Sequence, residues 1–233
     1  MLCDAAMNDE KATRYRVVSL RASEDGERIY LRVKGEASSG DAQAQTYTLR
    51  VEEYAALHLK LTARSLLTQE EVERIGEAAV ASGAYSRGLH ILGYGANSAR
   101  TLHHKLTEKG FDPEVATRAV EALSEKGYLR EERDACRVAK QIMRRGRGKR
   151  RILQELRARG YGDEALRAAA QSLTEEDFGA LCVEVLRRKS PCPPSESDER
   201  RKTVAYLLRC GFEMSDIRAA MTVVWSVRGG KCT

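Results

Sequence analysis

A six-residue pattern that returns about every 50 residues constrains this chain more than any other feature. Leu106-Thr-Glu-Lys-Gly110-Phe111 recurs as Leu156-Arg-Ala-Arg-Gly160-Tyr161, and again as Leu207-Leu-Arg-Cys-Gly211-Phe212. The register extends both ways. Arg100, Arg150 and Arg201 stand ten positions before the glycines, and Leu123, Leu173 and Val224 stand twelve positions after the aromatics. A fixed period of this length marks a repeat architecture, in which each unit buries its apolar face by stacking on its neighbours. The glycine ends a helix in the left-handed conformation, and the aromatic after it buries against that helix and the next. The next helix starts at Asp112-Pro113, with Asp as N-cap and Pro in the first turn, and at Ser215-Asp216 in the third unit. A preceding helix in each unit, over 86–92, 133–145 and 176–189, completes a three-helix module. Pro191-Cys192-Pro193-Pro194-Ser195 interrupts the third unit and reads as a flexible loop.

Ahead of the repeats the periodicity changes from helical to alternating. Tyr15, Val17 and Leu20, then Ile29, Leu31 and Val33, predict two strands joined by a turn at Glu24-Asp25-Gly26-Glu27. A polar stretch from Gly35 to Gln45 leads to a third strand over Thr46–Val51. Three short strands are not stable alone, so the meander must pack on the helix that begins near Glu52. Thr68 followed by Glu71 is a capping box that opens a helix with Val72, Ile75 and Ala79 on one face. A second helix runs from Ser86 to Leu92 and stops at Gly93-Tyr94-Gly95, after which Ser98 caps a helix carrying Leu102 and Leu106. The expected fold is mainly α: three tandem three-helix repeats forming an elongated, curved array, preceded by a small three-strand segment. The boundaries read as a disordered tail over 1–13, the strand segment with its helices over 14–82, and repeats over 83–131, 132–174 and 175–233.

Composition limits the function classes. Charged residues make up 32% of the 233 residues and aromatics only 6%, a balance suited to a soluble helical protein with Leu-, Ala-, Val- and Ile-built cores. No apolar run approaches the roughly 20 residues that span a bilayer, and the polar start lacks a signal-peptide core, so a cytoplasmic protein is expected. Six scattered cysteines (Cys3, Cys136, Cys182, Cys192, Cys210 and Cys232) form no Cys-x-x-Cys pair, which favours reduced thiols and speaks against zinc. The net charge of +6 favours an anionic partner.

That charge is concentrated. Between Ala135 and Gly160 there are ten Lys or Arg and one acid, Glu155. The densest part, Arg144-Arg145-Gly146-Arg147-Gly148-Lys149-Arg150-Arg151, lies between the first two helices of the middle repeat. Arginines in the first turn of a helix oppose its macrodipole, a local cost that points to a surface kept positive for another reason. Arg144, Arg145, Arg147, Lys149, Arg150, Arg151 and Arg157 are the candidate binding residues. No aromatic is interleaved among them, so base-specific readout is not indicated. The competing reading is a solvated loop that aids solubility.

Catalytic signatures are missing. His103 and His104 are adjacent on a helix and point about 100° apart, a poor arrangement for one metal. Gly93-Tyr-Gly95-Ala-Asn97-Ser98 follows a helix and lacks the Gly-Lys-Ser/Thr ending of a phosphate loop. Glu131-Glu132 and Glu175-Glu176-Asp177 read as first-turn acids, and no His or Cys stands where it would activate a nucleophile. No catalytic residue, metal or cofactor is expected.

Three segments carry a family resemblance. Arg87-Gly-Leu89-His-Ile-Leu92 with Ser98-x-x-x-Leu102-x-x-Lys105-Leu106-x-x-Lys109-Gly110-Phe111 resembles the first repeat of the RecX family of recombination regulators. Gly127-Tyr128-Leu129-Arg130-Glu131-Glu132-Arg133 is similar to that family's Gly-Tyr-Leu-Asp-Asp-Glu-Arg junction, and Lys149-Arg150-Arg151-Ile152-Leu153-Gln154-Glu155-Leu156-Arg157-Ala158-Arg159-Gly160 to its central Arg-Ile-x-x-Glu-Leu-x-x-Lys-Gly signature. The likeness covers about 85–225, and residues 14–70 match the strand-rich extension of longer members. Arg130 departs from the pattern in place of an acid, as does Asp134 where the family places Phe. The resemblance implies a monomeric, non-enzymatic modulator that lies in the groove of the RecA–DNA filament and limits filament growth, ATPase and strand exchange in recombination and the SOS response. Single- or double-stranded DNA would be a further partner, and no membrane would be involved. The alternative is a helical protein that binds DNA directly through a helix-turn-helix, and a purely structural scaffold is a third reading.

Overall fold

The computed structural model describes residues 14–36 and 43–226. The tail reading for 1–13 and part of the polar stretch after Gly35 lie outside the described residues. Among the described residues the chain makes four strands and ten helices. In chain order these are β1 (Tyr15–Ala22), β2 (Arg28–Gly35), β3 (Gln45–Arg50), α1 (Val51–Ala56), β4 (Leu66–Leu67), α2 (Gln69–Gly93), α3 (Ala99–Glu108) and α4 (Pro113–Glu125). There follow α5 (Glu131–Met143), α6 (Lys149–Ala158), α7 (Asp163–Ser172), α8 (Phe178–Lys189), α9 (Ser197–Cys210) and α10 (Met214–Ser226). The chain is mainly helical behind a small antiparallel sheet. It divides into two compact units, one of residues 1–91 with 105–123, the other of 92–104 with 124–233.

In the first unit the sheet runs β3-β2-β1-β4. Its third expected strand is joined by a fourth, the two-residue β4, whose Leu66 and Leu67 pair with Arg16 and Tyr15. Two residues carry no alternation, so periodicity could not reveal this strand. The turn after β1 closes with the Ser23 hydroxyl accepting from the Arg28 N–H at 2.9 Å. The Ser23 hydroxyl also donates to Asp25 and, with the Glu27 N–H, holds that exposed carboxyl below its usual pKa. Alternation places Leu31, Val33, Tyr47 and Leu49 inward, where they form a core with Val17, Leu67, Val72 and Ile75. The capping box is formed: the Glu71 carboxylate accepts the Thr68 N–H at 2.9 Å, and the Thr68 hydroxyl accepts the Glu71 N–H at 3.2 Å. Thr68→Ala should therefore lower stability by about 1 kcal/mol, read as a shift in urea midpoint.

The two helices expected over Thr68–Ala79 and Ser86–Leu92 are one helix, α2. Ser82 and Gly83 look like a break, but both have packing roles. The buried Ser82 hydroxyl donates to the Ala78 carbonyl at 2.8 Å and accepts the Arg50 N–H at 2.8 Å, tying the end of β3 to the middle of α2. Gly83 faces the Phe111 ring, and a Cβ on Gly88 would lie 2.6 Å from Leu123. Small residues here let other segments approach the helix axis, which offsets the roughly 1 kcal/mol that each glycine costs a helix.

In the second unit two three-helix cores follow one another. One is built from Ala135, Val138, Ile142, Ile152, Leu156, Tyr161, Leu166 and Leu173 of α5–α7 and the residues after them. The other uses Cys182, Leu186, Leu207, Cys210, Phe212, Ile217 and Val224 of α8–α10. Helix α5 begins two residues earlier than expected. Helix α10 begins at Met214, with the Ile217 N–H bonded to the Glu213 carbonyl, so Ser215-Asp216 is its first turn rather than its cap. Cys136, Cys182 and Cys210 are free thiols as expected, whereas Cys192 is disulfide-bonded, which its spacing gave no sign of.

Burial pushes the Cys182 thiol up to about 12. The unfolded chain loses this proton near 9 and the folded chain keeps it, so stability is intact below 9 and falls as pH rises toward 12. The slope from this group is at most about 1.4 kcal/mol per pH unit. Urea midpoints of wild type and Cys182→Ala, compared from pH 8 to 10.5, should diverge with the steeper fall in wild type.

Candidate functional site

The three recurring glycines build the same helix end. Gly110, Gly160 and Gly211 adopt φ of 89°, 79° and 92°. The aromatic after each donates its N–H to the leucine five residues back, Phe111 to Leu106 at 3.3 Å, Tyr161 to Leu156 at 3.2 Å and Phe212 to Leu207 at 3.3 Å. The glycine N–H bonds the carbonyl of Thr107, Arg157 or Leu208. This pair of bonds is the Schellman motif, and its apolar contact is supplied by fully buried Leu106, Leu156 and Leu207.

Two of these turns are clasped by the helix start of the preceding repeat. The hydroxyls of Ser98 and Thr101, at the start of α3, both donate to the Arg159 carbonyl at 2.8 Å, and Gly160 lies against Ser98 and Arg100. One repeat on, the Gly148 N–H donates to the Cys210 carbonyl at 2.9 Å. A Cβ on Gly148 would sit 2.3 Å from the Gly211 oxygen, and one on Gly211 would sit 2.4 Å from the Arg151 nitrogen. Gly148 occupies the register position of Ser98, and Cys210 that of Arg159. The joint is thus repeated, made by hydroxyls in one copy and by backbone contact in the next.

The basic loop is part of the second joint. Helix α5 ends at Met143, Arg144 caps it, Gly146 turns the chain with φ of 76°, and Gly148 precedes α6. Arg147 donates to the Cys210 sulfur at 3.4 Å and Arg150 to the Leu208 carbonyl at 3.4 Å. Arg151 pairs with Glu155 at 3.0 Å. Lys149 borders a groove of about 300 Å³ lined also by Glu176, Asp177, Glu213 and Asp216. Arg144, Arg145 and Arg157 are exposed and make no ion pair among the described residues. Of the seven candidate residues, Arg147 and Arg150 bond α9, Arg151 pairs along α6, Lys149 borders the acidic groove, and Arg144, Arg145 and Arg157 face solvent.

The junction before α5 is also explained. The Glu131 carboxylate accepts the Ala99 N–H at 2.6 Å, so the first residue of α5 caps α3. Arg130, which departs from the family pattern, folds back and donates to the Gly127 carbonyl at 2.7 Å, beside buried Leu129. Asp134, the other departure, pairs with Arg137 at 3.0 Å. The joint contacts of Ser98, Gly148 and Glu131 were not legible in the sequence, because partners about 30 to 60 residues apart leave no local periodicity.

Residues 84–123 match the family model described as RecX, first three-helix domain. A regulatory protein RecX of Xanthomonas axonopodis pv. citri is 31% identical over 153 residues, covering 65% of this chain and 94% of that protein. The chain belongs to the RecX family. A RecX regulatory protein of Halorhodospira halophila is 33% identical over 148 residues, 63% of this chain and 91% of its own length. Two RecX crystal structures share the fold. One superposes with a TM-score of 0.68 at 19% identity over 88% of this chain and 97% of its own. The other, from Lactobacillus salivarius, has a TM-score of 0.55 at 18% identity over 63% and 97%. The RecX relatives are named as regulatory proteins. No helix among the described residues is long and apolar enough to cross a membrane.

Proposed function

We propose that this chain is a non-enzymatic, monomeric regulator of RecA in the cytoplasm, binding the RecA–DNA filament and limiting its extension, ATPase and strand exchange in recombination and the SOS response. Membership of the RecX family supports the partner. The observation that supports the mode of binding is the basic loop between α5 and α6, seated by backbone contact on the next repeat so that its cations are presented from a fixed platform. Fixing a charged surface beforehand lowers the ordering cost of association. Of the proposed contact residues, Arg144, Arg145 and Arg157 face the filament or its DNA, while Arg147, Lys149, Arg150 and Arg151 hold the loop or line its rim. The repeats over 83–131, 132–174 and 175–233 act as successive modules, the outer two bridging RecA protomers.

DNA-dependent RecA ATPase, measured with and without the protein, tests this. Wild type should suppress the rate, and Arg144→Ala/Arg145→Ala/Arg157→Ala should need at least tenfold more protein for the same suppression. No effect of the wild type would overturn the regulator reading. Equal suppression by the triple variant would overturn only the contact surface. Sequence-selective duplex binding in the absence of RecA would instead favour the helix-turn-helix alternative.

A further inference from the structure

The N-terminal sheet has a second face beside the one that builds its core. Its inner side chains form the core described above, and its outer side chains are exposed. Strands β1, β2 and β3 together carry Arg16, Arg21, Arg28, Arg32, Lys34 and Arg50, and not one Asp or Glu. The chain as a whole is nearly balanced, with 40 basic and 34 acidic residues. Alternation puts Arg28, Tyr30, Arg32 and Lys34 on the outer face of β2. The register sets Arg21 opposite Tyr30, Ser19 opposite Arg32 and Arg16 opposite Lys34 on β1, with Thr48 and Thr46 flanking Tyr30 and Arg32 from β3. Tyr30 is 39% exposed in the middle of this grid.

Ordinary explanations fail for these positions. Basic residues often protect sheet edges from pairing, but β1 and β2 are the interior strands of the order β3-β2-β1-β4. Like charges directly opposite one another destabilise a sheet, yet Arg16 faces Lys34 across the ladder. Arg16 is relieved by Glu36 at the sheet's end. Arg21, Arg32 and Lys34 make no ion pair among the described residues.

We infer that this face is a docking surface for single-stranded nucleic acid, with phosphates held by Arg21, Arg32 and Lys34 and a base stacked on Tyr30. A positive surface with an accessible aromatic among its cations suits an unpaired strand, because a phosphate-only contact to duplex DNA has no use for the ring. The threonine hydroxyls of β3 add donors for phosphate oxygens. The surface uses none of the residues of the α5–α6 loop, and the inference does not depend on the RecA reading.

The test uses the full chain carrying Arg144→Ala, Arg145→Ala and Arg157→Ala, so that the solvent-facing arginines of the loop and of α6 do not contribute. Fluorescence anisotropy would follow binding to a labelled thymidine oligonucleotide and to a duplex of equal length across a salt series. The oligonucleotide should bind, and adding Arg21→Ala/Arg32→Ala/Lys34→Ala should weaken it tenfold or more. The same change should reduce the log-log salt slope by about 2, roughly 0.7 for each phosphate contact removed. Tyr30→Ala should weaken the oligonucleotide about fivefold or more and leave the duplex unchanged. All four positions are exposed, so the urea midpoint should stay within error of the parent, which separates lost contact from lost fold. Unchanged affinity in the triple sheet variant overturns the inference. So does a preference for duplex that is insensitive to Tyr30, or capture of polyglutamate without capture of the oligonucleotide.

Discussion

Replacing Gly211 with Ala should lower stability by about 2–4 kcal/mol, while the same change at Gly110 should cost only about 1 kcal/mol. Both glycines sit in the left-handed region, with φ of 92° and 89°, so an added Cβ strains both backbones alike. They differ in what surrounds them. A Cβ on Gly211 meets the Arg151 nitrogen at 2.4 Å and its Cβ at 2.5 Å, whereas one on Gly110 finds nothing within 4 Å. Backbone cannot swing aside as a side-chain tip can, so the Gly211 change must push α6 off the turn or distort the turn itself. Gly148→Ala tests the clash without the backbone strain. Its φ of −75° is ordinary, yet its Cβ would lie 2.3 Å from the Gly211 oxygen, and a loss of about 1–3 kcal/mol is expected. Gly160→Ala should fall between, since its neighbours at 3.1–3.3 Å are side-chain atoms of Ser98 and Arg100. Urea unfolding of the four variants gives the ranking, and equal losses at Gly110 and Gly211 would refute the joint.

The second large effect is expected at Arg50. This side chain is buried, with its guanidinium 3.5 Å from the centroid of the Tyr85 ring. It also contacts Glu52 at 3.0 Å and Glu53 at 3.8 Å. Arg50→Ala removes the stacked cation and its packing together. A desolvated cation–π contact is worth about 2 kcal/mol, and the partly exposed ion pairs add less, so a loss of about 2–4 kcal/mol is expected. Arg50→Lys should recover little, because an ammonium lacks the planar surface that lies on the ring. Amide exchange should accelerate in β3, α1 and the middle of α2 and stay unchanged in α8–α10. A uniform change across the chain would contradict this local role.

Much of this architecture was legible because its signals are local. Each Schellman turn needs Leu, Gly and an aromatic within six residues, and all three copies are formed where the repeat predicted them. The Thr68–Glu71 box and the Ser98 cap are equally short-range, and both are made. What escaped depends on distant partners. Ser82 and Gly83 resemble a helix break until Arg50 and Phe111 are in place, and then they become the points of contact. In the sequence Gly146 and Gly148 mark only a break between two helices, whereas in the structure Gly148 is needed for contact with Gly211. Charge density marked the α5–α6 segment correctly as basic but could not separate Arg147 and Arg150, which bond the α9 end, from the solvent-facing Arg144, Arg145 and Arg157.

The uninterrupted course of α2 affects how this protein can be cut. A helix of 25 residues is about 37 Å long. Its first half supplies Val72 and Ile75 to the sheet core, and its second half supplies Gly88 to the contact with Leu123. A shortened version starting near residue 83, where the repeats begin by sequence, would sever a rod in mid-span and remove the Arg50 anchor at Ser82. The strand segment is therefore no detachable appendage. A trimmed version that keeps its first repeat intact must begin at or before the Thr68 cap, and would then need a polar replacement for the apolar stripe that the sheet covers.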